Sequence, residues 1–343
     1  VGNSAIAGED GDYLNIGAAI TAGKYIIELV GSTAETGDVD FLNFVRIFCT
    51  SSKQYTIDIG DYVWELSKTN DEAAHISDVI IEIQSTTNKV CLKTGGSTAG
   101  SIIMERVVFK DTSTSTHKLL NIQNTNTKNN IIDSCIFITP NQSTTLTYFD
   151  GLFTNNSVRC GGSSDNGEWL IQSDCIIDNL RISGTCSAGK IINFLADGMP
   201  VNNIVSDADV ILKFYGVATN IKNPSGTIQY RATAYISNFD CDVLSRQGGV
   251  RLKGVNGRIR SALTTTDMLL DMTNVHFDDD LTIDTTSDNS SFIQCSVGDT
   301  PAGAKTITVN AGATNVRLIG NSTEAAIVDS GTNTQDIANV LIV

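Results

Sequence analysis

Four side chains capable of acid–base or ionic chemistry, Arg181, Asp209, Asp240 and His276, fall at the same place in a short phrase that recurs along the chain. The phrase has eight positions, and these residues take the sixth. If the 31 residues from Asp209 to Asp240 make one turn of a repeating structure, the two carboxylates stand on neighbouring turns. Their separation would then be about 5 Å, that of the acid and nucleophile in a retaining glycosidase. Like charges so close would raise the pKa of one of them and keep a proton available. Surface carboxylates on an acidic chain more often form a solvated stripe.

A second set surrounds Trp169 in "SSDNGEWLIQ". A polar, glycine-containing stretch marks a loop, where binding residues concentrate. There Trp169 could stack on a sugar while Asp165, Glu168 and Arg181 meet its hydroxyls. Trp64 in "DYVWELS" alternates with Tyr62 and reads as core or cap. His75, His117 and His276 are the three histidines. No nucleophile elbow, Gly-rich phosphate loop, H-E-x-x-H or calcium loop occurs, so no metal site and no cofactor is expected.

The elements that must carry these residues follow from the phrase itself. Copies run from 75 (HISDVIIE), 102 (IIMERVVF), 131 (IIDSCIFI), 176 (IIDNLRIS), 204 (IVSDADVI), 235 (YISNFDCD), 271 (DMTNVHFD) and 312 (GATNVRLI). The second, fifth and seventh positions are mostly apolar, and the third and fourth mostly Ser, Thr, Asp or Asn. A 5, 7 alternation is the period of a strand with one buried face, and the polar pair before it reads as a corner. The intervals are 27, 29, 45, 28, 31, 36 and 41 residues, the long ones being two turns or one turn with an inserted loop. Weaker phrases from 254 and 290 fall inside two of them.

Each unit also holds other short strands, such as "KVCLKTG", "KIINFLA" and "TITVNAG", and helical periodicity is nearly absent. Several short strands per repeat with polar corners predict an all-β fold, a right-handed parallel β-helix. Coils stacked about 4.8 Å apart require each turn to repeat the phrase. Residues 1–40 read as a short N-terminal cap, with a helix across "NIGAAITA" and a first strand at "KYIIELVG", and 41–343 as the β-helix. The end stays strand-like and apolar to Val343, so its edge is expected to be covered by further chain or another subunit.

Composition limits the partners. The chain has 23 Lys and Arg against 38 Asp and Glu, a net charge of −15, which opposes a phosphate-binding surface. Nucleic acid is therefore not an expected partner. No apolar run long enough for membrane insertion occurs. Eight cysteines lack C-x-x-C and zinc spacing, and several sit inside apolar phrases, as reduced core thiols do.

The opening "GDYLNIGAAITAGKYIIEL" resembles the start of pectin-lyase-like β-helices, and the ending "NVRLIGNSTEAAIVDSGTNT" is similar to the last coils of bacteriophage tail spikes and fibres. The resemblance implies a β-helix, often a homotrimer, on the virion surface, in contact with other virion proteins and with host surface polysaccharide. The polygalacturonase-like catalytic set does not carry over: Gly-His-Gly is absent, and "RLK" at 251–253 and "DDD" at 278–280 are its sole fragments. Two expectations stand side by side. One is a virion appendage that attaches to a surface glycan. The other is a polysaccharide depolymerase, a hydrolase or lyase, using Asp209 and Asp240.

Overall fold

The computed structural model describes residues 4–8, 12–41, 45–50, 54–66, 74–84, 90–94, 101–112, 118–122, 130–138, 145–149, 151–161, 168–172, 176–185, 191–195, 200–246, 251–298 and 304–341. They form two compact units, Val1–Leu195 and Ala196–Val343. Each is a stack of parallel strands, so the all-β parallel β-helix expected from the phrase is the architecture found.

In the first unit, one inward column before the corner runs Ile27, Ile47, Ile76, Met104, Ile132, Phe153 and Ile177, each in register with the next. A second column after the corner runs Ile57, Ile81, Phe109, Phe137, Val158 and Ile182. All are buried, each contributing about 1.5–3 kcal/mol when fully removed from water. The rings of Phe109 and Phe137 stack 4.9 Å apart and 2° from parallel. A third side is built from Val39–Asp40, Trp64–Leu66, Val90–Thr94, Lys118–Ile122 and Thr145–Phe149. Trp64 is fully buried there, edge-on to Phe41 at 5.3 Å, which settles it as core.

The corner between the first two columns is one residue in the left-handed region: Asp78, Arg106, Ser134, Asn155 and Asn179, with φ between 53° and 59°. A side chain that bonds locally offsets the steric cost of that conformation, which is why four of these five corners are Asp, Ser or Asn, Arg106 being the exception. The next residue turns inward, as at Val79, Val107, Cys135, Asn156 and Leu180.

The helix Ile16–Thr21 lies where "NIGAAITA" places it. Asn15 caps it, accepting from the Ala18 N–H at 2.7 Å, and the buried Glu35 carboxyl accepts from the N–H groups of Ile16 (3.1 Å) and Gly17 (3.0 Å). A strand missed in the sequence, Ser4–Ala7, precedes this helix and pairs in parallel with Ile26–Leu29.

The second unit has shorter coils. Register pairs Val205 with Lys222, Asp240 with Arg258, Arg258 with His276, His276 with Ser296, Ser296 with Ser322 and Ser322 with Val340. Its first coils thus advance 17 or 18 residues, not the 31 needed to stack Asp209 on Asp240. The corner preceding them is Asn203, so the phrase starts at 200, and Val205 rather than Asp209 holds the sixth position. Similarly, Arg106 rather than Glu105 is the corner of its coil, and Asn315 stacks on Asn289 at a different corner from Asn274. The coil around Asn220 was not recognised in the sequence.

Five corners, Asn203, Asn220, Asn238, Asn256 and Asn274, have φ of 52–57°. From Asn220 to Asn274, each side-chain amide donates to the Oδ1 one coil below, at 2.9, 3.0, 3.4 and 2.8 Å in order. Inside, Cys241, Ile259, Phe277 and Val297 form one column, and Leu263, Leu281 and Ile307 another.

Candidate functional site

Strand alternation puts Ala234, Leu252, Met272, Phe292 and Leu318 in the core of the second unit. Their neighbours Tyr235, Lys253, Asp271 and Arg317 therefore face outward, with the buried Ser291 between the last two in register. These five occupy successive rungs of one column. Together with Thr233, Arg251 and Asn289 two residues earlier on their strands, they line a groove of about 660 Å³. In the first unit the same column runs Ile26, Arg46, His75, Ile103, Ile131, Leu152 and Ile176, polar at Arg46 and His75 and apolar elsewhere, whereas in the second it carries no aliphatic residue from Tyr235 to Arg317.

The groove mixes charge and aromatic surface. Arg251 donates to Asp271 through Nε at 2.6 Å and through its Nη2 as well. The Lys253 ammonium lies 5.8 Å from the centre of the Tyr235 ring. On a neighbouring stretch, Arg231 stands 5.7 Å over the Tyr215 ring and donates to its hydroxyl at 3.1 Å, which raises the guanidinium pKa. Lys253 and Arg317 are exposed, and neither has a carboxylate partner among the described residues. Among the described residues Asp271 is the one carboxylate lining the groove, and Arg251 engages it.

The sixth-position residues make a separate ionic face beyond the corner. Arg260 grips Asp240 through Nε (2.9 Å) and Nη2 (2.8 Å), and Arg258 grips Asp278 likewise, both at 2.8 Å. Each carboxylate raises the pKa of its guanidinium, the hydrogen bond being the main cause. His276 Nδ1 meets Ser296 Oγ at 2.7 Å and its Nε2 lies 3.2 Å from Asp278. Asp240 therefore faces arginines, while Asp209 is exposed on a coil that is not adjacent. The structure does not bring the two aspartates together.

Arg181 is exposed in the first unit, opposite Ser157 in register. Glu168 and Trp169 belong to the strand Glu168–Gln172, paired with Ile191–Leu195. Asp165 lies outside the described residues. Cys49, Cys135, Cys241 and Cys295 are free and buried. Burial pushes the Cys135 thiol up to about 12 and that of Cys295 to about 11. The other four cysteine side chains lie outside the described residues.

Tyr235, Lys253 and Arg317 were not singled out in the sequence. The signal was present in the first position of the phrase, which is aliphatic from Ile103 to Ile176 and again at Val217 but not from Tyr235 onward once the corners are aligned. Comparison with protein-family models, curated proteins and solved structures returns no match for this chain.

Proposed function

We propose that this chain is a glycan-attachment β-helix of a virion appendage, of the tail-spike or fibre kind, working on the virion surface as a homotrimer beside other virion proteins. The observation that carries the reading is the groove of the second unit. It is concave, crosses successive coils, and combines a tyrosine face with charged and hydroxyl side chains, the mixture that suits a sugar chain. Stacked parallel coils supply a stiff support, since each outward side chain is fixed by the buried neighbours on either side. The Arg260–Asp240 ion pair and the separation of Asp240 from Asp209 favour attachment over the depolymerase alternative, which needs those two carboxylates together.

Incubation with a panel of bacterial surface polysaccharides tests this, with retention on immobilised glycan and release of reducing ends read together. Retention without release, lost in Tyr235→Ala, is the expected result. Release of new ends would replace attachment by depolymerisation, and no retention by a folded protein on any glycan would remove the reading.

A further inference from the structure

We propose that the groove of the second unit is selective for acidic glycans, seating their negative groups on Lys253 and Arg317 and a sugar face on Tyr235. This deepens the attachment reading and rests on it.

The first support is the pairing pattern of the cations. In a chain with 38 acidic and 23 basic residues, an exposed cation readily finds a carboxylate. Arg106 pairs with Asp78, Lys110 with Glu82, Lys93 with Glu65, Arg258 with Asp278, Arg260 with Asp240 and Lys305 with Asp279. Lys253 and Arg317 have no carboxylate partner among the described residues; Arg46, Arg159 and Lys222 share that condition, but Lys253 and Arg317 line one groove. Two uncompensated cations on one concave face are a standing demand for an anion.

The second support is geometry. Lys253, Asp271, Ser291 and Arg317 are successive rungs, so the two cations are three rungs apart, about 14 Å at the usual strand spacing. A rung is close to the length of one sugar ring, so a chain laid along the column meets one outward side chain per residue. The Arg317 guanidinium presents a planar fork that matches a carboxylate or sulfate, and the Lys253 ammonium is a compact point charge. Tyr235, already beside Lys253, offers the apolar face of its ring to the next sugar.

The third support is the rung between. Asp271 is engaged by Arg251, so its level carries no net charge for an anionic group to meet, and the next rung, Ser291, is small with its hydroxyl buried. The column thus reads aromatic, cation, ion pair, small uncharged rung, cation. It suits a chain in which acidic residues alternate with neutral ones, and disfavours a polymer charged at every step. The net charge of −15 repels polyanions at long range, while screening over about 8 Å at physiological ionic strength leaves the local cations to act.

The test is binding of the intact chain to an array of bacterial polysaccharides sorted as carboxylated, sulfated and neutral, with a single-stranded oligonucleotide as a non-sugar polyanion. Lys253→Ala and Arg317→Ala, both at exposed positions, are compared with the unaltered chain after thermal melts establish equal folding. The expected result is retention of carboxylated or sulfated glycans, weakened at least about tenfold in either variant and by added salt, with the array arms saying which acid group is read. Retention confined to neutral glycans and indifferent to both substitutions would overturn the acidic selectivity while leaving attachment intact. Oligonucleotide binding as tight as glycan binding would overturn the selectivity as well. Absence of binding to every glycan would overturn attachment itself, and this inference with it.

Discussion

Phe239 packs onto Gly257 of the next coil so closely that a Cβ on the glycine would lie 2.2 Å from the ring carbons. The position after the corner is an inward side chain in the neighbouring coils, Ile204, Ile221 and Val275. Here one large ring fills the space of two residues. Gly254 on the same strand likewise leaves room for Met272, whose sulfur would stand 2.5 Å from an added Cβ.

Gly257→Ala is therefore expected to destabilise the second unit by about 1–3 kcal/mol, the usual cost of overpacking a filled core. Urea denaturation measures it. Adding Phe239→Leu should recover part of the loss, and an unchanged midpoint in the single variant would contradict the packing described.

The asparagine ladder combines backbone conformation with hydrogen bonding, and one position separates them. Asn238, at φ 52°, donates to Asn220 and accepts from Asn256. Asn238→Gly keeps the left-handed corner and loses only the amide bonds, whereas Asn238→Ala loses both. Thermal midpoints should fall in the order Asn, Gly, Ala, with the alanine variant about 1–2 kcal/mol below wild type. A glycine variant less stable than the alanine one would rule out the conformational argument.

An asparagine, buried at 156 and 321 and half-buried at 339, repeats one motif at three corners. Asn321 accepts from the Cys295 N–H at 2.8 Å and donates to the Phe292 carbonyl at 3.0 Å; Asn156 does the same for Cys135 and Ile132, and Asn339 for Asn321 and Leu318. Asn321→Leu would keep the volume and strand two backbone groups, each costing about 1–3 kcal/mol when buried and unpaired. Hydrogen exchange at the Cys295 amide should accelerate well beyond that of the Val309 amide. Equal protection of both would show that the bridge adds nothing.

Glu35 gives a pH dependence of known sign. Burial raises its carboxyl above the ordinary value, against the smaller opposing pull of the Gly17 and Ile16 N–H groups. The folded cap thus holds this proton more tightly than the unfolded chain does. Its stabilising contribution is complete below the ordinary carboxylate pKa of about 4.3 and is lost as pH rises through the raised value. Melts of wild type and Glu35→Gln over that window should differ by a curve that falls with pH. A difference that rises instead would mean that the helix N–H groups outweigh burial.

Much of this was legible in the sequence because it is local. The two-residue alternation, the Asp, Ser or Asn corner and the helix from Ile16 each depend on a few adjacent residues, so the parallel β-helix follows from their repetition. The Ser4–Ala7 strand escaped notice because four residues carry little periodicity of their own and become a strand by pairing with Ile26–Leu29.

What only the tertiary structure decided was register. The identity of the residue above Asp240 depends on the number of residues in a whole coil, and coil lengths vary because loops are tolerated at the corners. Asp209 and Asp240 looked like neighbours at an interval of 31, yet a coil of 18 places Arg258 above Asp240. The same arithmetic aligned Tyr235, Lys253, Asp271, Ser291 and Arg317, residues far apart in the chain and unlike in type. The sequence alone determined that coils would stack, since each phrase leaves one apolar face to bury. Which outward side chains meet was settled by hydrogen-bonded pairing between coils, a long-range condition that no single phrase contains.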